Sequence, residues 1–233
     1  MRSLRTAIAV FLLGRRVKSI VPFRLAVQGK IGIEMGGPST AFQKSGIIPI
    51  YRYIEHLDNL TFSSSTVWAK DSGESIICDA TDLQSIPDCK YDFVLSCHNL
   101  EHLANPIKAL REWRRVMKDG GSLILVLPNY RFTFDHRRKP TLVTHMEEDY
   151  KNGTDEHDLT HLPEILELHD LTLDVAAGTK EEFRERSLRN FENRCLHHHV
   201  FDVDNARQLL ESAGYSVERV ETVRPFHIVL LAK

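Results

Sequence analysis

Short apolar runs alternate with longer mixed segments along most of the chain. Each of seven runs is four to six residues long and is bounded by turn residues, as buried strands are. Strands that alternate with helical segments build a mostly parallel sheet with helices on both faces. The pattern therefore predicts an α/β fold with strands at residues 31–35, 53–57, 75–78, 93–97, 122–127, 217–222 and 227–231.

Two segments have the periodicity of amphipathic helices. Apolar side chains recur at helical spacing in residues 106–118, and Asp119-Gly120-Gly121 then interrupts the pattern. The second segment is residues 203–212, with Asp202 as a candidate N-cap and Gly214 beyond its end. The end of the chain is therefore predicted to run helix, strand, strand.

Two regions depart from the alternation. Residues 129–199 are rich in charged, histidine and aromatic side chains, and they are too long for a strand-to-helix connection. The last two strands are separated only by residues 223–226, which suits an antiparallel hairpin. We therefore expect one domain, formed by residues 30–128 and 200–233, with residues 129–199 inserted as a helical or irregular subregion after the fifth strand.

The first 33 residues contain seven basic side chains and no acid. Such a segment could lie on a membrane surface, act as a targeting leader or cap the domain. Its apolar stretch, residues 7–13, is far shorter than the roughly 20 residues that span a bilayer. We expect no integral membrane segment and a helical cap over residues 1–29, with an apolar face that packs on the domain. Peripheral membrane contact through this basic segment is the alternative.

The amino-acid composition restricts the kinds of partner that the protein is expected to bind. The 30 basic and 32 acidic residues give a net charge of −2, which is not the basic excess of a nucleic-acid-binding protein. We expect no nucleic-acid partner, and a small molecule or a carbohydrate stays open as the substrate. The four cysteines show no C-x-x-C spacing, as is typical of reduced thiols in a cytoplasmic protein.

The first strand leads through an acid into a glycine turn. Residues 32–40 read G-I-E-M-G-G-P-S-T, with Glu34 in the strand and Gly36 and Gly37 in the turn. Glycines let the backbone approach a ligand closely, and an acid at this place can accept hydrogen bonds from a ligand ammonium or hydroxyl. Asp58 ends the second apolar run, 22 positions after Gly36. This is close to the spacing of about 20 at which a carboxylate meets a ribose in dinucleotide folds. A helix cap at Glu34 or an Asx turn at Asp58 is the structural alternative.

Three further segments follow in order. They are C-D-A-T-D-L at 78–83, Y-D-F-V-L-S-C-H-N-L-E-H-L at 91–103 and V-M-K-D-G-G-S-L-I-L-V-L-P at 116–128. With the glycine turn, this ordered set resembles the class I (Rossmann-like) S-adenosylmethionine-dependent methyltransferases of the small-molecule, type 11-like family. The resemblance covers residues 30–128 and 200–233. It implies a seven-stranded, mostly parallel sheet with an antiparallel last strand, and S-adenosylmethionine at the carboxyl ends of the first strands.

The resemblance also assigns residues to the cofactor. By position, it places the methionine part beside Glu34, Gly36, Gly37, Ser96, Cys97 and His98. Asp58 would hold the ribose hydroxyls, and Asp79 and Ala80 would border the adenine. The alternative for Asp79 is that it begins a turn. The chain departs from the family pattern at Pro38 and Thr40, which replace later glycines, and in a helix after the loop that is interrupted within about two turns.

The positions after strands four and five should face the transferred methyl group. They are His98, Asn99, Asn129 and Tyr130. His98 is the candidate general base, because methyl transfer needs in-line approach of an acceptor atom freed of its proton. A hydrogen-bonded structural histidine is the alternative. Arg137 and Arg138 lie near aromatic residues and could bind an anionic or sugar-phosphate acceptor, and a solvated charged face is the alternative there.

Eight of the twelve histidines lie within residues 136–199. His157 and His161 have the i, i+4 spacing that would place both imidazoles on one helical face, and with His197 or His199 and an acid they could bind a divalent metal ion. A hydrogen-bonded surface or lid network is the alternative.

The leading prediction is an enzyme that transfers a methyl group from S-adenosylmethionine to an oxygen, or to a nitrogen or carbon, of a small-molecule or glycan acceptor. In this prediction residues 129–199 form the acceptor-binding lid. Two other classes stay open, because one fold serves many functions. One is a metal-dependent hydrolase or lyase that uses the histidines, and the other is a non-catalytic binding module of the same fold.

Overall fold

The computed structural model describes residues 15–63 and 73–233. Within these ranges the strands are β1 (Ile31–Met35), β2 (His56–Thr61), β3 (Ser75–Ile77), β4 (Tyr91–Cys97), β5 (Met117–Pro128), β6 (Val217–Val223) and β7 (His227–Ala232). They form one sheet in the order β3-β2-β1-β4-β5-β7-β6. Neighbours from β3 to β5 pair parallel, and β7 runs antiparallel to both β5 and β6. The predicted seven-stranded, mostly parallel sheet with an antiparallel last strand is confirmed.

The second strand is where the prediction from apolar runs is wrong. Residues 51–53 form a 3-10 turn, and β2 begins later, at His56, and continues to Thr61. The polar residues Asp58 and Asn59 lie inside this strand and pair with β1. A criterion based on apolar runs excludes such residues. Asp58, predicted to end the strand, therefore lies in its middle.

The described part of the chain contains seven α-helices. They are α1 (Val21–Val27), α2 (Pro106–Val116), α3 (Val143–Asn152), α4 (Leu162–Leu168), α5 (Lys180–Leu188), α6 (Asn190–Asn193) and α7 (Val203–Ser212). α7 has the predicted bounds, and Asp202 caps it as predicted, because its carboxylate accepts hydrogen bonds from the N–H groups of Asp204 and Asn205 at 2.9 Å each. α2 ends two residues before its predicted end, since β5 already begins at Met117.

Side chains of the sheet alternate between two apolar layers. Phe93 of β4 belongs to the layer that contains α1, and Val94 belongs to the layer that contains α2 and α7. Helices therefore cover both faces, as predicted. In the second layer Trp113 of α2 is fully buried, and its Nε1 donates a hydrogen bond to the carbonyl of Ala80 at 2.9 Å. This bond joins α2 to the turn after β3.

Residues 129–199 contain α3 to α6 and carry an apolar cluster of their own. The cluster is formed by Leu162, Ile165, Ala177, Phe183 and Leu196. Arg138 is 2% exposed and links the beginning and the end of this segment. Its guanidinium donates hydrogen bonds to Asp135 at 3.2 Å and to the carbonyl of His197 at 2.8 Å.

Residues 1–14 lie outside the described residues, and so does most of the predicted apolar face of the N-terminal cap. The described end of this segment contains α1, whose Phe23 and Val27 are fully buried against the sheet. Among the helices of residues 15–63 and 73–233, none is long and apolar enough to cross a membrane.

Candidate active site

A cavity of about 380 Å³ opens at the carboxyl ends of β1, β2 and β4, and we call it the strand-end cavity. Open α/β sheets bind ligands at this edge. Its walls come from the turn after β1, the end of β2, the turn after β3, the segment after β4 and one residue near the end of residues 129–199. The lining residues are Gly36, Gly37, Leu60, Thr61, Phe62, Asp79, Ala80, His98, Asn99, His102, Leu103 and Arg194.

Glu34 lies beneath the glycine turn and holds it in place. Its carboxylate is fully buried and accepts hydrogen bonds from the Ser39 N–H at 3.0 Å and from the Tyr51 hydroxyl at 2.5 Å. The Tyr51 hydroxyl in turn accepts a hydrogen bond from the Ser39 N–H at 2.7 Å. Burial raises the pKa of Glu34, and these hydrogen bonds oppose the rise. Glu34 therefore shapes the turn from below and is not one of the lining residues.

The two predicted glycines form the wall of the strand-end cavity. Gly36 has a φ of +76°, and a Cβ atom there would lie 3.0 Å from Oδ1 of Asn99. At Gly37 a Cβ atom would lie 2.4 Å from Cδ of Glu34. Glycine is therefore required at both positions, by the backbone at one and by close approach at the other. After the turn, Thr40–Phe42 form a single 3-10 turn in place of the short helix expected there.

Asp58 does not reach the strand-end cavity, which corrects its predicted role at a ribose. It is 2% exposed, and its carboxylate accepts hydrogen bonds from the Tyr91 hydroxyl at 2.7 Å and the Glu74 N–H at 3.0 Å. His56 and Lys90 also contact it, at 2.8 and 3.2 Å. Burial alone would raise the pKa of Asp58, but these hydrogen bonds lower it below the ordinary value. Asp58 is thus a buried link between β2, β3 and β4.

The turn after β3 lies in the wall as predicted. Asp79 begins a turn with one oxygen, Oδ1, which accepts hydrogen bonds from the N–H and the hydroxyl of Thr81 at 2.8 Å each. Its other oxygen, Oδ2, pairs with Arg194 at 3.1 Å. Asp79 therefore begins a turn and also lines the strand-end cavity, and its contact with an adenine stays a prediction. Ala80 lies beside it in the same wall.

The segment after β4 presents His98, Asn99 and His102 to the strand-end cavity. His98 adopts a φ of +50°, and its Nε2 lies 3.0 Å from Nδ1 of His227. Burial, with His227 and His197 nearby, lowers the pKa of His98 to about 3, so its imidazole is neutral near pH 7. Asn99 lies against Gly36, and its buried Nδ2 has no hydrogen-bond partner among residues 15–63 and 73–233.

The last two predicted cofactor residues lie just outside the strand-end cavity. Ser96 is fully buried near the end of β4, beside Met35 of β1. Cys97 is half-buried and lines an adjoining cavity of about 710 Å³, which shares Gly36 and His98 with the strand-end cavity. Burial raises the pKa of its thiol, so Cys97 stays protonated near pH 7.

A second cavity, of about 440 Å³, lies between β4 and the insertion, and we call it the insertion cavity. It shares His102 and Arg194 with the strand-end cavity. Its other lining residues are Phe134, Asp135, Ile165, His169, Asp174, Phe183, Arg186, Asn193, Cys195, Leu196 and His197. Of these residues, the sequence indicated only His197, as an alternative metal ligand, because the others come together only in the folded chain.

Glu101 and His197 form a charged cluster at the wall between the two cavities. Nδ1 of His197 lies 2.6 Å from Oδ2 of Asp135. Glu101 is 1% exposed, and within the described ranges neither of its carboxylate oxygens has a hydrogen-bond partner. Burial raises the pKa of Glu101 to about 7, although His197 opposes the rise. Glu101 stands in the L-E-H-L motif, which was the one sequence signal for it.

Comparison with known proteins agrees with this geometry. Residues 50–125 match the family model of the methyltransferase domain. This segment runs from the turn before β2 into β5 and includes the walls of the strand-end cavity that follow β3 and β4. This segment is therefore similar to a methyltransferase domain, in agreement with the resemblance predicted from the sequence. No curated protein sequence matches the chain.

Solved structures share the fold at low sequence identity. An S-adenosylmethionine-dependent methyltransferase from Aquifex aeolicus is 15% identical with a TM-score of 0.53, and the match covers 94% of this chain and 90% of that one. A putative methyltransferase bound to the Haloferax volcanii Trm112 activator is 12% identical with a TM-score of 0.54, over 99% and 93%. A putative methyltransferase from Bacillus halodurans is 12% identical with a TM-score of 0.51, over 91% and 96%.

The residues that line the strand-end cavity fit most parts of S-adenosylmethionine. Gly36 leaves room beside Asn99, whose amide lacks a partner within the described chain and can donate to a ligand carboxylate. Gly37, Asp79 and Ala80 would complete the cradle. When bound, the cofactor supplies an electrophilic methyl group. At the end of β2 the described residues present Thr61 and Phe62, so the carboxylate expected at the ribose is not there.

The residues predicted to bind the acceptor are only partly brought together. Asn129 caps a 3-10 turn and lines a groove with Phe132 and Arg224, away from the strand-end cavity. Tyr130 lies in that turn, half-buried. Arg137 pairs with Asp170 at 2.8 Å. Arg138, buried and bonded inside the protein, is a structural residue, which corrects its predicted role in anion binding.

The predicted metal-binding candidates are also arranged differently from the prediction. The turn 155–161 is not helical, so His157 and His161 do not share a face. His157 is exposed, bonded to Asp155 at 3.1 Å and stacked on Phe191 at 3.9 Å. His161 and His199 come together instead with His145, which the sequence did not single out.

Proposed function

We propose that the protein transfers the methyl group of S-adenosylmethionine to an oxygen, or alternatively a nitrogen or carbon, of a small-molecule or glycan acceptor. Residues 129–199 then act as the acceptor-binding lid. The observation that carries the proposal is the wall shared by the two cavities. His102 and Arg194 line both cavities. A methyl donor in the strand-end cavity and an acceptor in the insertion cavity would therefore be neighbours, with these two side chains between them.

The insertion cavity supports a hydroxylated acceptor. Asp135, Asp174 and His169 provide oxygen and nitrogen atoms that accept hydrogen bonds from hydroxyl groups. Phe134 and Phe183 add aromatic faces, which pack well on the C–H face of a sugar ring. Together with the near-neutral net charge of −2, this lining favours a small molecule or glycan over a nucleic acid. A cytoplasmic location stays part of the proposal, on the cysteine pattern alone.

Two residues are candidates for taking the acceptor proton. His98 lines the strand-end cavity and is neutral, so its imidazole can accept a hydrogen bond from an acceptor hydroxyl. Its pKa of about 3, however, makes it a weak base. Glu101, with a pKa of about 7, has the basicity that general-base catalysis near neutral pH needs. We propose His98 as the residue that orients the acceptor and Glu101, which has a carboxylate oxygen within 4.8 Å of ring nitrogens of His102 and His197, as the proton acceptor.

Titration calorimetry with S-adenosylmethionine and S-adenosylhomocysteine is the first test. Micromolar binding of both is expected. Methyl-¹³C-labelled cofactor, offered with panels of hydroxylated small molecules and glycans, then identifies the acceptor atom, because O–CH₃, N–CH₃ and C–CH₃ groups have distinct NMR shifts. Absence of cofactor binding by a protein with a native circular dichroism spectrum would refute the proposal.

A non-catalytic binding module of the same fold is the second candidate. It is favoured by the end of β2, where among the described residues Thr61 and Phe62 line the strand-end cavity and the carboxylate expected at the ribose does not. This candidate predicts that the cofactor binds weakly and that no labelled methyl group leaves it in the presence of any acceptor of the panel.

A further inference from the structure

Three histidines from separate segments converge outside the strand-end cavity. His145 lies in the first turn of α3, His161 immediately precedes α4, and His199 is the last residue of the insertion. One ring nitrogen of each lies within 4.8 Å of a ring nitrogen of both others. Nε2 of His145 and Nε2 of His161 are 3.0 Å apart. We call these residues the histidine cluster.

A buried carboxylate adjoins the histidine cluster. Asp149 of α3 is 7% exposed, and its Oδ1 accepts a hydrogen bond from the Thr154 hydroxyl at 3.2 Å. Its buried Oδ2 has no hydrogen-bond donor within the described parts of the chain. This oxygen lies 3.5 Å from Nε2 of His145 and 3.7 Å from Nε2 of His199. A buried carboxylate oxygen that no group satisfies is costly unless a cation or donor completes its surroundings.

The spacing within the histidine cluster is compatible with one tetrahedral metal ion. Zinc binds imidazole nitrogen at about 2.0–2.1 Å, so two ligand atoms on one tetrahedral ion are roughly 3.3 Å apart. Nε2 of His145 and Nε2 of His161, 3.0 Å apart, are close to this value, and the ligand atoms of all three histidines lie within 4.8 Å of one another. Neutral imidazoles share a hydrogen bond at 3.0 Å, and a bound ion would take the place of that hydrogen bond.

We propose that His145, His161 and His199 bind a divalent transition-metal ion of the zinc type, with Asp149 as the adjacent carboxylate that offsets its charge. Three imidazoles are a frequent ligand set for zinc, and the side chain of His145, 38% exposed, leaves a route for the ion. None of the three histidines lines the strand-end cavity. The ion therefore has a structural role: it joins α3, the start of α4 and the segment that leads to α7.

Metal analysis of untagged protein tests the site. Chelator-treated protein is incubated with Zn²⁺ or Co²⁺, desalted and assayed for bound metal and for the visible absorption of tetrahedral Co²⁺. About one equivalent per chain is expected. His161→Gln and His145→Gln, each checked by circular dichroism, should lower the affinity at least about tenfold. His157→Gln is the matched control, because this histidine belongs to the same insertion but is exposed and outside the cluster.

The outcomes separate this proposal from the proposed methyl transfer. Zinc should raise the melting temperature of the wild-type protein and of His157→Gln, and chelator should reverse the effect, whether or not S-adenosylmethionine binds. Two results would overturn the metal site. One is wild-type protein that retains no Zn²⁺ or Co²⁺, and the other is a His157→Gln variant that loses as much metal as His161→Gln.

Discussion

At the scale of single residues, the backbone of Gly36 offers a direct test of the strand-end cavity. Gly36→Ala places a methyl group 3.0 Å from Oδ1 of Asn99 in the wall of that cavity, at a φ of +76°. We expect a loss of about 1–2 kcal/mol in the free energy of unfolding, from the left-handed backbone, and a clear loss of affinity for S-adenosylmethionine. Urea denaturation and titration calorimetry measure the two effects.

Gly29 provides the control for that substitution. It also has a left-handed backbone, with a φ of +63°, but a Cβ atom there has no neighbour within 4 Å among the described residues. Gly29→Ala should therefore lose similar stability and keep full cofactor affinity. Equal affinities for the two variants would mean that the cofactor does not approach the turn after β1.

Asp58 is expected to matter for stability rather than for the cofactor. Asp58→Ala leaves the buried Tyr91 hydroxyl without its acceptor, which lies 2.7 Å away. An unsatisfied buried group costs about 1–3 kcal/mol. Urea denaturation should show this loss, while calorimetry on the folded variant should show unchanged binding of S-adenosylmethionine. Asp82→Ala, at an exposed position, is the control for removal of a charge. A selective loss of cofactor affinity in Asp58→Ala would restore its predicted place at the ribose.

The pair of His197 and Asp135 should give stability a defined pH dependence. Burial alone would lower the pKa of His197, but Asp135 raises it above 6.5, and the same contact helps to hold the pKa of Asp135 at about 2 against the effect of burial. The contribution of His197 to the free energy of unfolding is fully present below pH 6.5, and it is lost as the pH rises through the pKa of His197 in the folded protein. That of Asp135 is complete above its ordinary pKa of 3.8 and disappears as the pH falls towards 2.

Asp135→Asn is therefore expected to cost more stability at about pH 5.5 than at about pH 9. Leaving the buried cations His197 and Arg138 without this partner should cost roughly 3–5 kcal/mol at the lower pH. Urea denaturation at both pH values measures it. Asp155→Asn removes a similar contact to His157 at an exposed site and should cost little at either pH. A loss for Asp135→Asn that does not change with pH would contradict the ionic pair.

At the scale of elements, the end of α6 closes over the strand-end cavity. Arg194 follows α6 with a left-handed backbone and pairs with Asp79 and Glu156, each at 3.1 Å. Arg194→Gln changes a side chain that lines the cavity and removes the partner that holds Asp79 in its wall, so it should weaken binding of S-adenosylmethionine about fivefold, the equivalent of ~1 kcal/mol. Titration calorimetry measures the change. Arg184→Gln, on the exposed face of α5, should change nothing, and equal affinities for the two variants would show that α6 does not cover the bound cofactor.

Strand β2 shows why the sequence predicted the bounds of some helices and strands accurately and those of others wrongly. β1 and α7 were located to the residue, because an apolar run and a capped amphipathic pattern are local signals. β2 was misplaced, because Asp58 is a strand residue whose charge is satisfied only by partners far along the chain, such as Tyr91, 33 residues away. A polar residue stabilised by tertiary contacts carries no strand signal of its own.

The residues of the candidate site also divide into those that a local sequence signal predicts and those that only the folded chain brings together. Gly36, Gly37, Asp79 and Ala80 could be predicted, because a glycine turn and a short turn motif act through neighbouring residues. Arg194 could not, since it meets Asp79 from 115 residues away. His145 was missed for the same reason, because only the fold of residues 129–199 brings it to His161. Spacing rules predicted His157 instead, on the assumption of a helix that the chain does not form there.

At the scale of the whole molecule, cofactor binding should stabilise the domain and the insertion together, because Arg194 belongs to the insertion and lines the strand-end cavity. A ligand at 100 times its dissociation constant adds about 2.7 kcal/mol, which corresponds to roughly 5–10 °C in the melting temperature of a chain of this size. Thermal unfolding with S-adenosylmethionine, S-adenosylhomocysteine and ATP tests this, and only ATP, which lacks the methionine part, should fail to stabilise. Hydrogen exchange should slow both in the turn after β1 and in residues 190–200. Protection of the turn alone would show that the insertion moves independently of the bound cofactor, and the acceptor would then have to be sought outside the insertion cavity.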